Sequence, residues 1–209
     1  MSEQVTRLLR ADAADNRERI LEAARSLFAE RGLEVSMREV ARGAGVGPAT
    51  LYRRFPTRQS LVQAAFADEM AACRAIVAEG CAADDPWLGF CSVLLRIGEL
   101  NARNQGFTDA FLSTYPGAVE YTEHRADLLR SLAELCHRAQ KAGALRRDVV
   151  LDDLVLVLMA GRGLTAPTPA LRLAAARRFS ALAIEGFRAA GSRELLRPPA
   201  RVAASVLLA

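Results

Sequence analysis

The feature that most constrains this chain is a short segment with two helix starts separated by a tight turn. Ser36 precedes an apolar helical pattern, and Glu39 follows three residues later, where its side chain can reach back to the N–H of Ser36. This arrangement is a capping box and predicts a helix directly after Ser36. Gly45 can adopt the positive φ of a tight turn, and Pro48 suits the first position of a second helix. The segment from Ser36 to Arg58 therefore predicts two short helices joined by a turn.

The charge of this segment favours a nucleic-acid partner. It contains five arginines and a single acid, Glu39, although the whole chain has a net charge of only +4. Neutralisation of DNA phosphates requires such a local excess. The second helix begins with the small or short residues Pro48, Ala49 and Thr50, so its backbone can approach the edge of a base pair. The pattern is typical of a helix-turn-helix unit. A solvated helical hairpin, whose arginines serve only solubility, is the alternative.

The sequence of the second helix and its flanks resembles a known family signature. The residues GVGPATLYRRFPTRQSLV (45–62) are similar to the signature of the TetR/AcrR family of one-component transcriptional regulators, and ILEAARSLFAERGLEVSMREVARGAGV (20–46) is similar to the first two helices of that family. The resemblance covers residues 16–66. It implies an all-α protein, in which an N-terminal three-helix helix-turn-helix head is joined by a linking helix to a helical ligand-binding and dimerisation body. Arg58 stands where family members often carry lysine.

The resemblance and the composition together indicate which residues contact DNA. We expect Thr50 and the exposed backbone at Pro48 and Ala49 to face base edges. Tyr52, Arg53 and Arg58 are expected to contact phosphates or flanking bases. Ser36, at the N-terminus of a helix, is expected to contact a phosphate. The complete expected set is Ser36, Arg38, Pro48, Ala49, Thr50, Tyr52, Arg53 and Arg58.

Helical periodicity and breaks divide the chain into parts. After Thr57 the pattern predicts one uninterrupted helix to about Glu79, because no Pro or Gly occurs in it, and such a helix would act as a stiff lever. The predicted parts are a flexible arm over 1–15, a DNA-binding domain over 16–66 with its motif at about 36–55, a helical effector-binding and dimerisation domain over 67–191, and a C-terminal tail over 192–209.

Two predicted helices near the C-terminus carry more apolar surface than a small body needs. Residues 154–159 are apolar almost all round, and the next helix is predicted over 170–190. In the resembled family these helices pair with the same two of a second subunit, and a C2 dimer places two reading helices about one DNA turn apart. Burial in the core of one chain is the alternative. The expected interface residues are Leu158, Gly161, Leu173, Ala176, Phe179 and Ala183.

The middle helices combine apolar and aromatic residues with a few polar groups, which is the usual composition of a small-molecule pocket. In the resembled family a cavity here binds an effector and changes the spacing of the two DNA heads. We expect a small hydrophobic effector. Core packing is the alternative for each residue, and a solid body would indicate an architectural or ligand-independent DNA-binding protein. The pocket candidates are Phe66, Met70, Trp87, Phe90, Cys91, Leu94, Phe107, Phe111, Tyr115, Tyr121, His124 and Leu128.

The chain lacks the sequence motifs of an enzyme, a metal site or a membrane protein. The two histidines, His124 and His137, form no His-x-x-x-His pattern, and no nucleophile elbow is present. The four cysteines form no CxxC pair. Met1 to Arg10 has no apolar core of a signal peptide, and no apolar run is long enough to span a bilayer. These absences indicate a cytoplasmic protein, and the resemblance implies a ligand-responsive homodimeric repressor of a palindromic operator. It would have no catalytic activity, cofactor or metal, and its partners would be double-stranded DNA, a second copy and an effector.

Overall fold

The computed structural model describes residues 2–104, 107 and 119–189; the side chains of residues 2–14, 119–124 and 162 lie outside this description. Within these ranges the secondary structure is α-helical, apart from one isolated antiparallel bridge between Leu145 and Arg188. The helices are α1 (Ser2–Arg31), α2 (Met37–Gly43), α3 (Pro48–Arg54), α4 (Arg58–Ala65), α5 (Ala67–Ala82), α6 (Pro86–Arg103), α7 (Val119–Lys141), α8 (Leu151–Arg162) and α9 (Pro169–Phe187). The predicted all-α class is confirmed.

The chain forms two compact units, Met1–Asp68 and Glu69–Ala209. In the first unit, α1 packs against α2 and α4. The core of this unit consists of apolar side chains that recur at helical spacing, and among its fully buried members are Ile20, Phe28, Val40, Leu51, Leu61 and Phe66. Burial of this stripe fixes the angles between the short helices, which could not be stable alone.

The N-terminal segment differs from the prediction. The sequence analysis assigns residues 1–15 to a flexible arm, but the backbone from Ser2 continues α1 without a break. The helical backbone therefore begins at Ser2, before the predicted DNA-binding domain of residues 16–66. Residues 2–15 contain no Pro or Gly and are rich in Ala, Leu and Arg, which are strong helix formers. Asn16, a residue type that suits a cap, lies inside the helix and accepts a hydrogen bond from Arg19.

The prediction of one uninterrupted helix after Thr57 is wrong, because the helix is broken at Phe66. This residue has φ −117° and ψ 18°, and it separates α4 from α5. Its buried ring lies 6.1 Å from the ring of Phe28, and Arg25 donates a hydrogen bond of 3.4 Å to the carbonyl of Ala65. Packing against α1 therefore accompanies the end of α4, with no Pro or Gly at the break.

In the second unit, α6 packs against α7, α8 and most extensively α9. Two glycines bring α5 and α6 together: a Cβ on Gly89 would lie 2.2 Å from the carbonyl oxygen of Gly80, and a Cβ on Gly80 would lie 2.3 Å from Val93. The sequence analysis ends this helix at about Glu79, but α5 continues to Ala82 before Asp85 caps α6. Gly80 is thus a packing residue rather than a helix terminator.

Candidate nucleic-acid interface

The capping box predicted at the start of α2 is present. Ser36 Oγ accepts a hydrogen bond of 3.2 Å from the N–H of Glu39, and the N–H of Ser36 donates one of 3.0 Å to Glu39 Oε2. The Ser36 hydroxyl also donates to Glu39 Oε2 at 2.7 Å, and Arg31 Nη2 lies 2.7 Å from Glu39 Oε1. These hydrogen bonds, first those of Ser36 and then that of Arg31, lower the pKa of Glu39 from 4.5 to about 2. The carboxylate therefore stays charged at neutral pH and holds the backbone in place at the start of α2.

The turn between α2 and α3 has the geometry predicted from its glycine. Gly45 has a φ of 64°, and the N–H of Val46 donates a 2.9 Å hydrogen bond to the carbonyl of Ala41. Gly47 then takes the N-cap position of α3 without any side-chain cap, and Pro48 occupies the first turn. No atom lies within 4 Å of the Cβ position of Gly45 or Gly47. The backbone that leads into α3 is therefore open to an approaching ligand.

α3 presents its first turn outward while a single residue anchors it. Leu51 is completely buried, whereas Pro48 and Ala49 are exposed and Thr50 is half-buried. A helix end with short side chains and an open backbone can approach a base edge or a phosphate closely. Tyr52 is 47% exposed.

The other predicted DNA-contacting residues lie on or near the same motif, but not all have the same freedom. Arg38 on α2 and Arg53 on α3 are exposed. Ser36 is partly buried, and both its hydroxyl and its N–H are committed to Glu39. Arg38 and Arg53 are thus better placed than Ser36 to reach DNA with their side chains.

Arg58 has a structural partner that the sequence pattern does not reveal. Its side chain is only 23% exposed, its Nη1 donates a 2.7 Å hydrogen bond to the carbonyl of Leu33, and Nη1 lies 3.7 Å from Glu34 Oε2. The guanidinium therefore ties the start of α4 to the loop between α1 and α2. A phosphate contact by Arg58 would share a group that already holds this loop.

Arg17 is a basic residue that the motif does not identify. Its guanidinium carbon lies 5.9 Å from the ring centroid of Phe55, the buried residue that ends α3, and Arg17 itself is exposed. The only sequence signal for this position is its spacing from the apolar stripe of α1, which does not specify a neighbour 38 residues away along the chain.

The predicted pocket residues have several different environments. Phe66 belongs to the first unit, where it packs against Phe28. In the second unit the rings of Trp87 and Phe90 stack with centroids 5.7 Å apart, and Phe90 contacts Phe187 edge-on at 5.8 Å. The remaining buried candidates are Met70, Leu94, Phe107 and Leu128, and Cys91 is half-buried. Phe111 and Tyr115 lie outside the described residues, as do the side chains of Tyr121 and His124.

Four of the six predicted interface residues line a small cleft. It is partly open to solvent, lies between α6, α8 and α9, and is lined by Leu158, Gly161, Ala176 and Phe179 together with residues of α6. Leu173 and Ala183 are half-buried, and Ala176 is buried within the chain. The large apolar residues that are most exposed on α8 and α9 are three that the sequence pattern does not select: Leu156 at 58%, and Leu171 and Leu182 at 55% each.

Comparison with known proteins connects this geometry to a family. A family model described as bacterial regulatory proteins of the tetR family matches residues 20–65, which contain α2 and α3. A second model, the C-terminal domain of SbtR-like transcriptional regulators, matches residues 85–189, half of the chain. The chain belongs to the TetR family.

Relatives of known sequence or structure agree with this assignment. Helix-turn-helix transcriptional regulators of Staphylococcus aureus are 46% identical over 54 residues, which are 25% of this chain and 29% of theirs. The match therefore covers less than a third of these curated relatives. A TetR transcription regulatory protein from Mycobacterium vanbaalenii is 32% identical, with a TM-score of 0.50, over 86% of this chain and 99% of that one. A TetR-family regulator from Streptomyces coelicolor, at 19% identity, shares the fold with a TM-score of 0.67 over 81% of this chain and 90% of its own.

The TetR-family assignment makes the protein a DNA-binding transcriptional regulator and not an enzyme. In the described part of the chain, no helix is long and apolar enough to cross a membrane.

Proposed function

We propose that this TetR-family protein is a ligand-responsive homodimeric repressor that reads a palindromic operator with α3 and acts in the cytoplasm. The observation that carries the proposal is the exposed first turn of α3, with short side chains and open backbone, anchored by the fully buried Leu51. An anchored helix with an accessible N-terminus suits insertion into the major groove.

The expected DNA contacts follow from the exposure of each residue. We assign Thr50 and the backbone of Pro48 and Ala49 to base edges, where a short hydroxyl can discriminate between bases. Arg53 and Arg38 are assigned to phosphates, which supply affinity without sequence information. Arg58 would act chiefly by holding the loop before α2, because its Nη1 already donates to Leu33.

The exposed apolar residues of α8 and α9 support a dimer. Leu156, Leu171 and Leu182 are each more than half exposed, although they lie on helices that are largely apolar. Covering such a face with the same face of a second copy gives a C2 dimer with two reading helices. Two heads on one pseudo-palindrome explain how a small motif reaches useful affinity.

The effector is the part of the proposal with the least support from described residues. Trp87 and Phe90 pack against each other and against Phe187, as core residues do. The described cleft is small and lies at the proposed interface. An architectural or ligand-independent DNA-binding protein is therefore the second candidate, and it differs from the first only in its response to small molecules.

Selection of bound duplexes from a random DNA pool tests the proposal. We expect enrichment of a pseudo-palindrome whose half-sites lie about one helical turn apart. The Thr50→Ala variant should change the enriched bases while retaining binding to random DNA. Absence of any enriched sequence would contradict an operator-binding function. A screen for compounds that release the selected duplex then separates the two candidates, since an architectural protein would release it with none.

A further inference from the structure

Arginines of the first unit fall into two groups. One group forms ion pairs with carboxylates: Arg19 with Asp15, Arg25 with Glu18, Arg31 with Glu39, and Arg58 with Glu34. The second group is exposed and lies within 4 Å of no carboxylate in the described part of the chain: Arg17, Arg38, Arg42 and Arg53. All members of the second group except Arg17 belong to α2 or α3. The positive charge that carboxylates leave uncompensated is therefore concentrated on the helix-turn-helix motif.

Arg17 belongs to α1, but its side chain touches the end of the motif. Its guanidinium carbon lies 5.9 Å from the ring centroid of Phe55, the residue directly after α3. Phe55 is only 4% exposed, so its ring is held in the core and offers Arg17 a fixed surface. The ring has no net charge, so a cation–π contact of this kind attracts the guanidinium without neutralising it. A cation of α1 is thus placed beside the end of the reading helix.

The sequence around Arg17 also leaves its charge uncompensated. The positions one helical turn before and after it carry no charge: they are Ala13, Ala14, Ile20 and Leu21. Glu18, the adjacent acid, is engaged elsewhere, because its Oε1 lies 2.7 Å from Nη2 of Arg25. Arg17 therefore differs from its neighbours on the helix, whose charges are matched within the protein.

The length of α3 brings its end close to the DNA backbone. α3 has seven residues and is therefore about 10 Å long, while the major groove is about 12 Å wide. If the first turn of such a helix faces base edges, its last turn lies near one of the two phosphate backbones that flank the groove. Arg53 belongs to this last turn, and Arg17 lies beside Phe55, two residues further along the chain. Both side chains are exposed at the end of α3 that would face phosphates.

We propose that Arg17 binds a DNA phosphate beside the half-site read by α3, and that Phe55 positions its guanidinium for this contact. The inference rests on the proposed placement of α3 in the major groove. It gives α1 a role in affinity and none in sequence recognition, because phosphate contacts carry no base information.

The test compares two exposed arginines of α1 that lie two residues apart. Arg17→Met removes the charge but keeps a long side chain of good helix propensity that can still pack against Phe55. Arg19→Met is the matched control, because the charge of Arg19 is already paired with Asp15. Binding to a fluorescent duplex of mixed sequence, about 40 base pairs long, is measured by anisotropy between about 50 and 200 mM NaCl. We expect Arg17→Met to reduce the slope of log K against log salt by about 0.9 per bound subunit, and Arg19→Met to keep the wild-type slope.

Two results of this comparison would overturn the proposal. A wild-type slope in Arg17→Met would show that Arg17 neutralises no phosphate. An equal reduction in both variants would indicate an effect of net charge and not of position. Arg17→Lys retains the charge and should retain the slope; if it loses as much slope as Arg17→Met, the charge is not the cause and the proposal fails.

Replacement of single phosphates by neutral methylphosphonates, in a duplex selected for binding, locates the contact. At the phosphate bound by Arg17, the replacement should weaken binding of the wild type and have no further effect on Arg17→Met, because both changes remove the same interaction. If every replacement weakens the two proteins equally, Arg17 contacts no phosphate.

The variant Arg53→Met distinguishes this inference from the proposed function. If Arg53→Met lowers the slope and Arg17→Met does not, α3 binds DNA and the role of Arg17 alone is wrong. If the wild-type protein shows no salt-dependent binding at all, the proposed function and the role of Arg17 are both overturned.

Discussion

At the scale of single residues, the charge of Glu39 is fixed by its immediate neighbours. Ser36 donates two hydrogen bonds to it and Arg31 a third, so one carboxylate joins the end of α1 to the start of α2. The lowered pKa of about 2 has a defined consequence for stability. A carboxylate whose pKa is lower in the folded protein stabilises it fully above the ordinary value and loses this contribution as the pH falls through the lowered value.

We predict that Glu39→Gln removes this pH dependence. The wild type should lose thermal stability as the pH falls from about 4.5 towards about 2, and the variant should lose less over the same range because it has no charge to neutralise there. Thermal unfolding followed by circular dichroism measures the difference. Glu22→Gln, an exposed residue of α1, is the control and should follow the wild-type curve. Parallel curves for Glu39→Gln and the wild type would contradict the prediction.

The cysteine thiols give a second prediction at this scale. Burial raises the pKa of Cys73, Cys91 and Cys136 to about 11, and it also raises the pKa of Cys81. At neutral pH a thiol with a pKa of about 11 is a thiolate in about one molecule in ten thousand, and the thiolate is the reactive form. Iodoacetamide should therefore label the three thiols slowly in the folded protein and rapidly in denaturant. If these three thiols in the folded protein were labelled as fast as free cysteine, as measured by mass spectrometry, the prediction would be disproved.

At the scale of helices, the crossing of α5 and α6 depends on the absence of two side chains. Gly80 and Gly89 let the two backbones approach until a Cβ at either position would overlap the other helix. The close approach of α5 and α6 therefore requires two glycines inside helices, and each of them destabilises its helix relative to alanine.

We predict that Gly89→Ala destabilises the protein by roughly 1–3 kcal/mol, the usual cost of overpacking, because its Cβ would meet backbone that cannot move aside. Gly186→Ala in α9 is the matched control, since no atom lies within 4 Å of its Cβ position. It should be neutral or stabilising by up to about 1 kcal/mol through helix propensity. Urea unfolding measures both, and equal effects of the two substitutions would argue against the crossing.

The helices also show what the sequence can and cannot predict. The cap at Ser36 and the turn at Gly45 are predicted correctly, because a cap or a tight turn depends on residues three or four positions away. The break at Phe66 is not predicted, because it coincides with packing against α1 and no Pro or Gly signals it. The bond from Arg58 to Leu33 is hidden for the same reason, since it joins residues 25 positions apart. Local chemistry is readable in the sequence, and tertiary contacts are not.

At the scale of the whole molecule, α8 and α9 leave three leucines more than half exposed. Leu156, Leu171 and Leu182 would be covered if two chains met through this face. The cleft lined by Leu158 and Phe179 opens between the same helices and α6.

We predict that Leu171→Arg/Leu182→Arg produces a monomer. In a C2 interface the introduced arginines of one chain would lie against those of the other. These like charges would repel each other and would lose their hydration. Leu88→Arg on α6 is the matched control, because Leu88 is 62% exposed and lies on a different helix. Sedimentation velocity should show a dimer for the wild type and the control. A persistent dimer in the double variant would place the interface elsewhere.

The exposed face of α8 and α9 has a consequence for the cell. If a second copy covers this face, then at low abundance the number of paired heads rises with the square of the number of chains, by about fourfold for each doubling. If such a regulator acted on its own promoter, its occupancy there would depend on its own concentration through dimerisation at these leucines.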